Sequence, residues 1–302
     1  MVSHLQIGPV ALHRQLKALL ESGKLAKSGS APKVFYTLAT TLPQESFETH
    51  KLLDKYFAYV DPTGRLNTGI FGFRTWLKNV SKLNQETSLV SRYIQDRESV
   101  NNLFTQEDYI DATQNIENTF GTDMNLDGVY YCDFYSLPTF GKTRLGTLML
   151  YSKQSENREL IWQTADESKE IINKLIATLN IDGIGFIPHS ILRKIQFLKE
   201  FAKHLNLSLP TISMSKAYTG KIRVAQKTLG KLEERVKNAK ETIFIDDINS
   251  KFDNVLLIDD AVGSAATLNE TAKKIKQMGI AKKVYGFAVA GSLKGFEVIR
   301  EV

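Results

Sequence analysis

Two adjacent carboxylates, Asp259 and Asp260, directly follow four apolar residues at 255–258. A loop of small residues at 261–266 comes next, and a segment of helical composition begins at Thr267. A buried parallel strand is apolar throughout, and open α/β sheets bind ligands at the carboxyl ends of their strands. Small residues let backbone N–H groups approach a phosphate, and a helix N-terminus attracts it. Carboxylates suit ribose hydroxyls or Mg²⁺, so this order of features predicts a phosphate–sugar site.

This stretch resembles the phosphoribosyl-pyrophosphate (PRPP) motif of type I phosphoribosyltransferases. In that motif four apolar residues precede two acids, two apolar residues and a Thr-Thr-Gly-Ala-Thr-like loop. The match covers 255–262 together with Ser264, Ala266 and Thr267. The resemblance implies an α/β fold with a parallel sheet flanked by helices, and a protein that moves a phosphoribosyl group.

The resemblance also implies a role for each part of the motif. Asp259 and Asp260 are expected to hold the ribose hydroxyls directly or through Mg²⁺, which makes them the predicted catalytic and metal-binding carboxylates. The 5′-phosphate is expected to lie against the backbone and hydroxyls of Gly263, Ser264, Ala265, Ala266 and Thr267.

The loop departs from the family at Gly263, where Thr or Asp is usual, and at Ala265, where the family has glycine. Glycine is used where φ is positive or where the backbone must approach a ligand closely. If φ at Ala265 is positive, alanine costs on the order of 1 kcal/mol and its methyl group crowds the phosphate. If φ is negative, the change is nearly silent. The sequence leaves both alternatives open.

Two further segments resemble ComF-type phosphoribosyltransferases, and with the motif they extend the resemblance over residues 141–302. Residues 187–190 correspond to the first strand and turn of that group. The segment opened by Arg193 and Lys194 corresponds to its pyrophosphate-contacting loop. The zinc-binding N-terminal ribbon of that group has no counterpart here.

Residues 226–238 match the Gln-x-x-Leu-x-x-x-x-Arg-x-x-Asn segment that closes over substrate in that group. The resemblance implies that Arg193 and Lys194 steady the pyrophosphate, with help from Lys227 or Arg235 on closure. Catalysis would then come from positioning and charge stabilisation.

Residues 216–240 form a basic segment, with eight Lys and Arg side chains against Glu233 and Glu234. A closing loop of this charge would neutralise a diphosphate and exclude water. The alternatives are a solvated helix face and a nucleic-acid groove.

A second basic segment lies at residues 1–36, with five basic side chains against Glu21. Apolar residues at helical spacing predict a helix over 10–22, and a short basic hairpin is expected after it. Residues 1–40 thus resemble a winged helix-turn-helix whose usual first helix is missing. On that resemblance the residues that contact DNA are His13, Arg14, Gln15 and Lys17 in the major groove, and Lys27 and Lys33 at phosphates. The alternative is a small dimerisation or protein-contact module.

Composition excludes several classes of protein. The chain has 302 residues, 42% hydrophobic and 24% charged, with a net charge of +6. These values are typical of globular proteins. Cys132 is the single cysteine, which excludes an internal disulfide and a cysteine-based zinc site. No apolar run approaches a membrane span, so a cytoplasmic protein without a membrane partner is expected, acting as a homo-oligomer or with a protein partner.

The elements that must position these residues were predicted from periodicity and turn signals. Residues 41–140 are predicted to be a mainly helical middle domain, with helices at 46–60, 71–83, 88–101 and 106–119. Residues 141–302 are predicted to be the phosphoribosyltransferase-like domain. Its predicted strands are 147–151, 184–187, 211–214, 242–245, 255–258 and 283–290. Its predicted helices are 166–179, 192–205 and 267–278.

Three function classes remain open at this point. The first is an enzyme that transfers or removes a phosphoribosyl group on a base or nucleotide, controlled by its N-terminal region. The second is a regulator that binds DNA and senses PRPP or a nucleotide without turnover. The third is a toxin or phage-defence effector, controlled by a partner, that docks on nucleic acid.

Overall fold

A computed structural model describes residues 7–22, 24–28, 34–38, 50–247 and 249–293. The chain divides into two compact units, residues 1–48 and 49–302. No helix among the described residues combines the length and the apolar character that crossing a membrane requires.

The first unit contains helix α1 (Pro9–Glu21) and an antiparallel hairpin of β1 (Leu25–Ser28) and β2 (Phe35–Leu38). Pro9 starts the helix at a position where its missing N–H costs nothing. None of the α1 side chains is buried. The predicted helix and hairpin are confirmed, whereas the winged-helix interpretation stays a prediction. Lys33 and the turn at 29–32 lie outside the described residues.

The second unit mixes helices and strands throughout its described residues. Its helices are α2 (Lys51–Tyr56), α3 (Gly69–Asn79), α4 (Glu86–Ser99), α5 (Thr113–Phe120), α6 (Arg144–Gln154), α7 (Arg158–Thr178), α8 (Phe197–Leu205), α9 (Leu232–Thr242) and α10 (Ala266–Gln277). Its strands are β3 (Ala58–Val60), β4 (Leu66–Thr68), β5 (Ile110–Asp111), β6 (Gly128–Phe134), β7 (Ser136–Leu137), β8 (Gly141–Lys142), β9 (Gly183–Phe186), β10 (Thr211–Ile212), β11 (Met214–Lys216), β12 (Ile243–Ile245), β13 (Phe252–Val262) and β14 (Ala281–Gly291).

A six-stranded sheet in the order β10-β9-β13-β14-β6-β5 forms the centre of this unit. The first five strands run parallel, and β5 pairs antiparallel with β6 at one edge. Strand β13 lies inside the sheet, where Leu257 pairs with Gly185 on one side and with Gly286 on the other. The predicted parallel sheet is therefore confirmed.

Strand β13 is buried on both faces of the sheet, which explains its unbroken apolar run. Val255 and Leu257 belong to the hydrophobic cluster that contains Leu268 and Ile275 of α10. Their neighbours Leu256 and Ile258 belong to a second cluster, formed with side chains of α7 and α8. Successive strand residues point to opposite faces, so helices must cover both sides of the sheet.

The order in which strands are added to the sheet reverses between the adjacent parallel strands β9 and β13. After β9 the chain continues to β10 on one side, and after β13 it continues to β14 on the other. Such a switch point leaves a crevice beyond the carboxyl ends of the two strands, where open α/β sheets bind ligands. The carboxylates Asp259 and Asp260 lie near the carboxyl end of β13.

Several element predictions were wrong. Residues 147–151, predicted as a strand, belong to helix α6. Thr143 starts that helix, because its hydroxyl accepts a hydrogen bond from Gly146 N at 3.1 Å. In a short run of buried apolar residues, the spacing of the apolar side chains does not distinguish a helix from a strand. The helix predicted at 46–60 is the short α2 followed by strand β3, and residues 46–49 lie outside the described residues.

Other errors concern placement. The helix predicted from residue 192 begins at Phe197, so Arg193 and Lys194 lie in the preceding loop. The strand predicted at 242–245 pairs antiparallel with β11, outside the six-stranded sheet. Strands β5 and β6 lie in that sheet, although they come from the region predicted as a separate helical domain. The boundary predicted at residue 140 falls inside the compact unit 49–302.

Candidate phosphate–sugar site

A cleft of about 230 Å³ opens at the switch point between β9 and β13. It is lined by residues 187–191 after β9, by the acidic pair at 259–260 and by the loop at 263–267. Side chains from the segment between β11 and β12 complete it, with one lysine each from α6 and β11. The structure thus brings together three segments that are far apart in the sequence.

The two carboxylates of the pair are held differently. Asp260 Oδ2 lies 2.8 Å from Lys153 Nζ, and the Asp260 backbone N–H donates to Asp259 Oδ1 at 2.7 Å. Burial, reinforced by the charge of Asp260, raises the pKa of Asp259 well above its ordinary value. A neighbouring cation or hydroxyl group that stabilised the ionised form of Asp259 would therefore bind there favourably.

Two cleft lysines, Lys153 and Lys216, were missed as site residues by the sequence analysis. Lys153 lies in the last turn of α6. Lys216 ends β11, where its ammonium group donates to Ser190 Oγ at 2.9 Å. Burial lowers the pKa of Lys216 to about 8, against the raising effect of Asp259. No local motif marks either residue, although Lys216 lies in the basic segment 216–240.

The loop before α10 has the geometry that the sequence left open. Ala265 adopts φ 57° and ψ 12°, a left-handed conformation, at the N-cap of α10. Its side chain is buried, and Ser264 Oγ accepts a hydrogen bond from Ala266 N at 3.4 Å. The first N–H groups of a helix lack partners within the helix. Together with the helix dipole, they make this end of α10 suitable for a phosphate.

The predicted pyrophosphate residues Arg193 and Lys194 do not share one position. Arg193 is half-buried and lines the cleft, whereas Lys194 is exposed and lies outside the lining. The backbone N–H of Ile195 donates to Glu156 Oε2 at 2.9 Å, which anchors the loop to the turn before α7. Arg193 alone of the two is placed to contact a ligand in the cleft.

The motif residues of 226–238 contact one another. Gln226 Nε2 donates to the Arg235 carbonyl at 3.1 Å and to Asn238 Oδ1 at 3.2 Å. Arg235 Nε donates to the Leu229 carbonyl at 2.9 Å, and burial lowers the pKa of Arg235. Arg235 thus lines the cleft and also fastens its own segment. The side chain of Lys227 lies outside the described residues.

The charge of the cleft favours an anion. Its described lining carries four cationic side chains, Lys153, Arg193, Lys216 and Arg235, against the two carboxylates. Burial, together with the nearby Arg223 and Lys199, lowers the pKa of His189 and so favours its neutral form. Counted as fully ionised, the four cations and two carboxylates give a formal net charge of +2 (4 − 2), which suits a phosphate dianion.

Magnesium was predicted at the acidic pair, and the donor set fits a resident divalent ion poorly. The part of the chain that the structure describes contains no group of three or more His, Cys, Asp or Glu side chains able to hold a metal. Asp260 is already paired with an ammonium group. With Asp260 engaged, the acidic pair offers a metal a single carboxylate, Asp259, instead of the two that the prediction requires.

Five of the six predicted DNA-contacting residues lie in the part of the chain that the structure describes, and these five are exposed. His13, Arg14, Gln15 and Lys17 are exposed on α1, and Lys27 is exposed on β1. Lys17 lies 3.9 Å from Glu21, one helical turn away. Nucleic-acid binding stays a prediction.

Comparisons with known proteins add little. No protein-family model matches the chain, and no curated protein is significantly similar to it. Among solved structures, a hypoxanthine phosphoribosyltransferase from Staphylococcus aureus is similar with 14% identity, over 48% of this chain and 71% of that chain. Its TM-score is 0.28. A score this low carries no argument, so the functional case depends on the cleft itself.

Proposed function

We propose that the cleft binds a phosphorylated ribose compound, either PRPP or a ribose-5-phosphate nucleotide, and that the protein transfers or removes the phosphoribosyl group. One observation carries the proposal. An acidic pair and a helix N-terminus meet at the switch point of a parallel sheet, inside a lining with excess positive charge. Carboxylates suit ribose hydroxyls, and the helix N-terminus suits a phosphate.

The lining suggests how each part of such a ligand is held. The 5′-phosphate lies at the N-terminus of α10, and the ribose hydroxyls face Asp259 and Asp260. A diphosphate on C1 lies towards Arg193, Lys216 and Arg235. When the bond from C1 to the diphosphate oxygen breaks, its electron pair leaves with the diphosphate and positive charge develops on the sugar. Fixed cations and carboxylates stabilise both charges, and an acceptor nitrogen then bonds to C1.

Isothermal titration calorimetry with ribose 5-phosphate and PRPP tests the binding part. Both ligands are expected to bind the full chain. Arg193→Ala is expected to lower the affinity for PRPP by about tenfold, a loss of about 1.4 kcal/mol of binding free energy. The same variant should affect ribose 5-phosphate less, because that ligand lacks the diphosphate. Lys203→Ala, which removes an exposed lysine of α8, is the matched control. Absence of binding at millimolar ligand would contradict the proposal.

A second candidate function is sensing without turnover, and Ala265 is the observation that favours it. A methyl group stands at a left-handed position beside the phosphate loop, where the family has glycine. Pyrophosphate release from PRPP with a panel of bases separates the two candidates. A transferase releases pyrophosphate and loses the activity in Asp260→Asn, whereas a sensor binds PRPP and releases none.

A further inference from the structure

Lys153 provides the acidic pair with a cation that belongs to the protein. Its ammonium group lies 2.8 Å from Asp260 Oδ2, and the two side chains are 10% and 32% exposed. A second lysine, Lys216 of β11, lines the same cleft.

The surroundings of Lys153 keep its ammonium group in this position. Lys153 lies in the last turn of α6, where the helix dipole favours a cation. Its Nζ is 5.3 Å from the ring centroid of Phe197, a distance at which the aromatic face attracts it. Helix α6 itself is fixed, because Leu148 and Met149 are almost completely buried. The pair therefore differs from exposed pairs such as Lys282 and Asp253, which are 80% and 66% exposed.

A divalent cation at Asp260 would compete with this ammonium group. Two positive unit charges about 4 Å apart repel by about 4 kcal/mol at the effective dielectric constant of a protein surface, and a divalent ion doubles the effect. Asp260 is already paired with Lys153. Arg193 and Arg235 then supply the excess positive charge that a phosphate needs.

We propose that Lys153 takes the place of a divalent cation at Asp260, so that the cleft binds its phosphorylated ribose ligand without Mg²⁺. The first part concerns the protein alone. The second part rests on the proposed function.

Manganese binding to the full chain, followed by electron paramagnetic resonance, tests the first part. The dissociation constant of the wild-type protein for Mn²⁺ is expected to be above about 1 mM, the weak limit of oxygen-ligand Ca²⁺ sites. Lys153→Met frees Asp260 and is expected to bind Mn²⁺ at least about tenfold more tightly, a gain of about 1.4 kcal/mol. Adding Asp260→Asn to this variant should abolish the gain. The inference would be overturned if the wild-type protein bound Mn²⁺ with a dissociation constant below about 1 mM and Asp260→Asn abolished that binding. This comparison does not depend on whether a variant of Lys153 folds.

Calorimetry with PRPP, in EDTA and in excess Mg²⁺, tests the second part. The wild-type dissociation constant is expected to change by less than about threefold between the two conditions, which is below 1 kcal/mol. The affinity of Lys153→Met for PRPP should be lower than that of the wild type by about tenfold or more in EDTA, and Mg²⁺ should restore it. Lys282→Met, which removes the exposed pair with Asp253, should behave as wild type. A wild-type loss of about tenfold or more in EDTA would overturn the inference. If PRPP binds in neither condition, the proposed function fails, and the manganese measurement still decides the role of Lys153.

Discussion

At the residue scale, the site combines groups that the sequence reveals with groups that it conceals. Asp259 and Asp260 were predictable because they directly follow the apolar run at 255–258. The conformation of Ala265 was not, since φ depends on how the loop meets α10. Lys153 was also not predictable, because its contact with Asp260 depends on tertiary packing. The residues just before it, 147–151, were moreover predicted as a strand.

Ala265 leads to a prediction about stability. An alanine at positive φ destabilises the folded state by roughly 1–2 kcal/mol relative to glycine. Glycine offsets part of that difference, because it makes the unfolded chain more flexible. Ala265→Gly is therefore expected to raise the free energy of unfolding by about 0.5–1 kcal/mol in urea titrations. The control is the neighbouring Ala266, which is equally buried but helical. Ala266→Gly is expected to lower stability by about 0.5–1 kcal/mol, and an equal loss in both variants would contradict the assigned strain.

At the scale of elements, a buried ion pair connects helix α4 to strand β6. Arg97 Nη1 lies 3.0 Å from Asp133 Oδ1, with both residues almost fully buried. The Arg97 guanidinium also lies 3.7 Å from the ring centroid of Tyr56. Burial raises the pKa of Asp133, and Arg97 opposes that shift. Parallel strands β9, β13 and β14 were predictable from their apolar runs, whereas this long-range pairing of a helical segment with the sheet leaves no local pattern.

Removing one partner of this pair should be costly. Arg97→Met leaves a carboxylate buried without its cation, so the free energy of unfolding is expected to fall by about 3–5 kcal/mol. Arg92→Ala is the control, because Arg92 is 58% exposed and pairs with Asp96 at 2.8 Å one turn along the same helix. Its expected cost is below about 1 kcal/mol. Denaturant unfolding followed by tryptophan fluorescence measures both, and equal costs would show that Arg97 acts as an ordinary surface residue.

At the scale of the whole molecule, the chain consists of two compact units with different surfaces. The unit of residues 49–302 contains the sheet, its two hydrophobic clusters and the cleft. The first unit presents exposed basic residues on α1. The sequence predicted a first boundary at residue 40, from the extent of the winged-helix resemblance. It also predicted a boundary at residue 140, because it could not show that β6 joins strands far along the chain.

The prediction of DNA binding by the first unit is tested with the whole chain. Arg14→Ala is expected to weaken the binding of duplex DNA, measured by fluorescence anisotropy. The slope of the logarithm of the binding constant against the logarithm of the salt concentration should become shallower by about one, the value for one phosphate contact. The control is Gln15→Ala, which removes no charge and should leave the salt slope unchanged. Binding of ribose 5-phosphate should be equal in all three proteins. Unchanged DNA affinity in Arg14→Ala would favour a protein-contact role for this unit.

The antiparallel pairing of β11 with β12 has a consequence for how this protein can evolve. Lys216 pairs with Ile243, and Ala217 N donates to the Thr242 carbonyl at 2.9 Å, so the chain leaves and re-enters the fold at one place. The intervening segment 217–242 supplies Arg235 and Gln226 to the cleft without contributing a strand to the six-stranded sheet. Insertions are tolerated best in exposed segments, and most of the described side chains of this segment are exposed or half-buried. Substitutions or insertions in this segment can therefore change which ligand the cleft accepts without altering the six-stranded sheet.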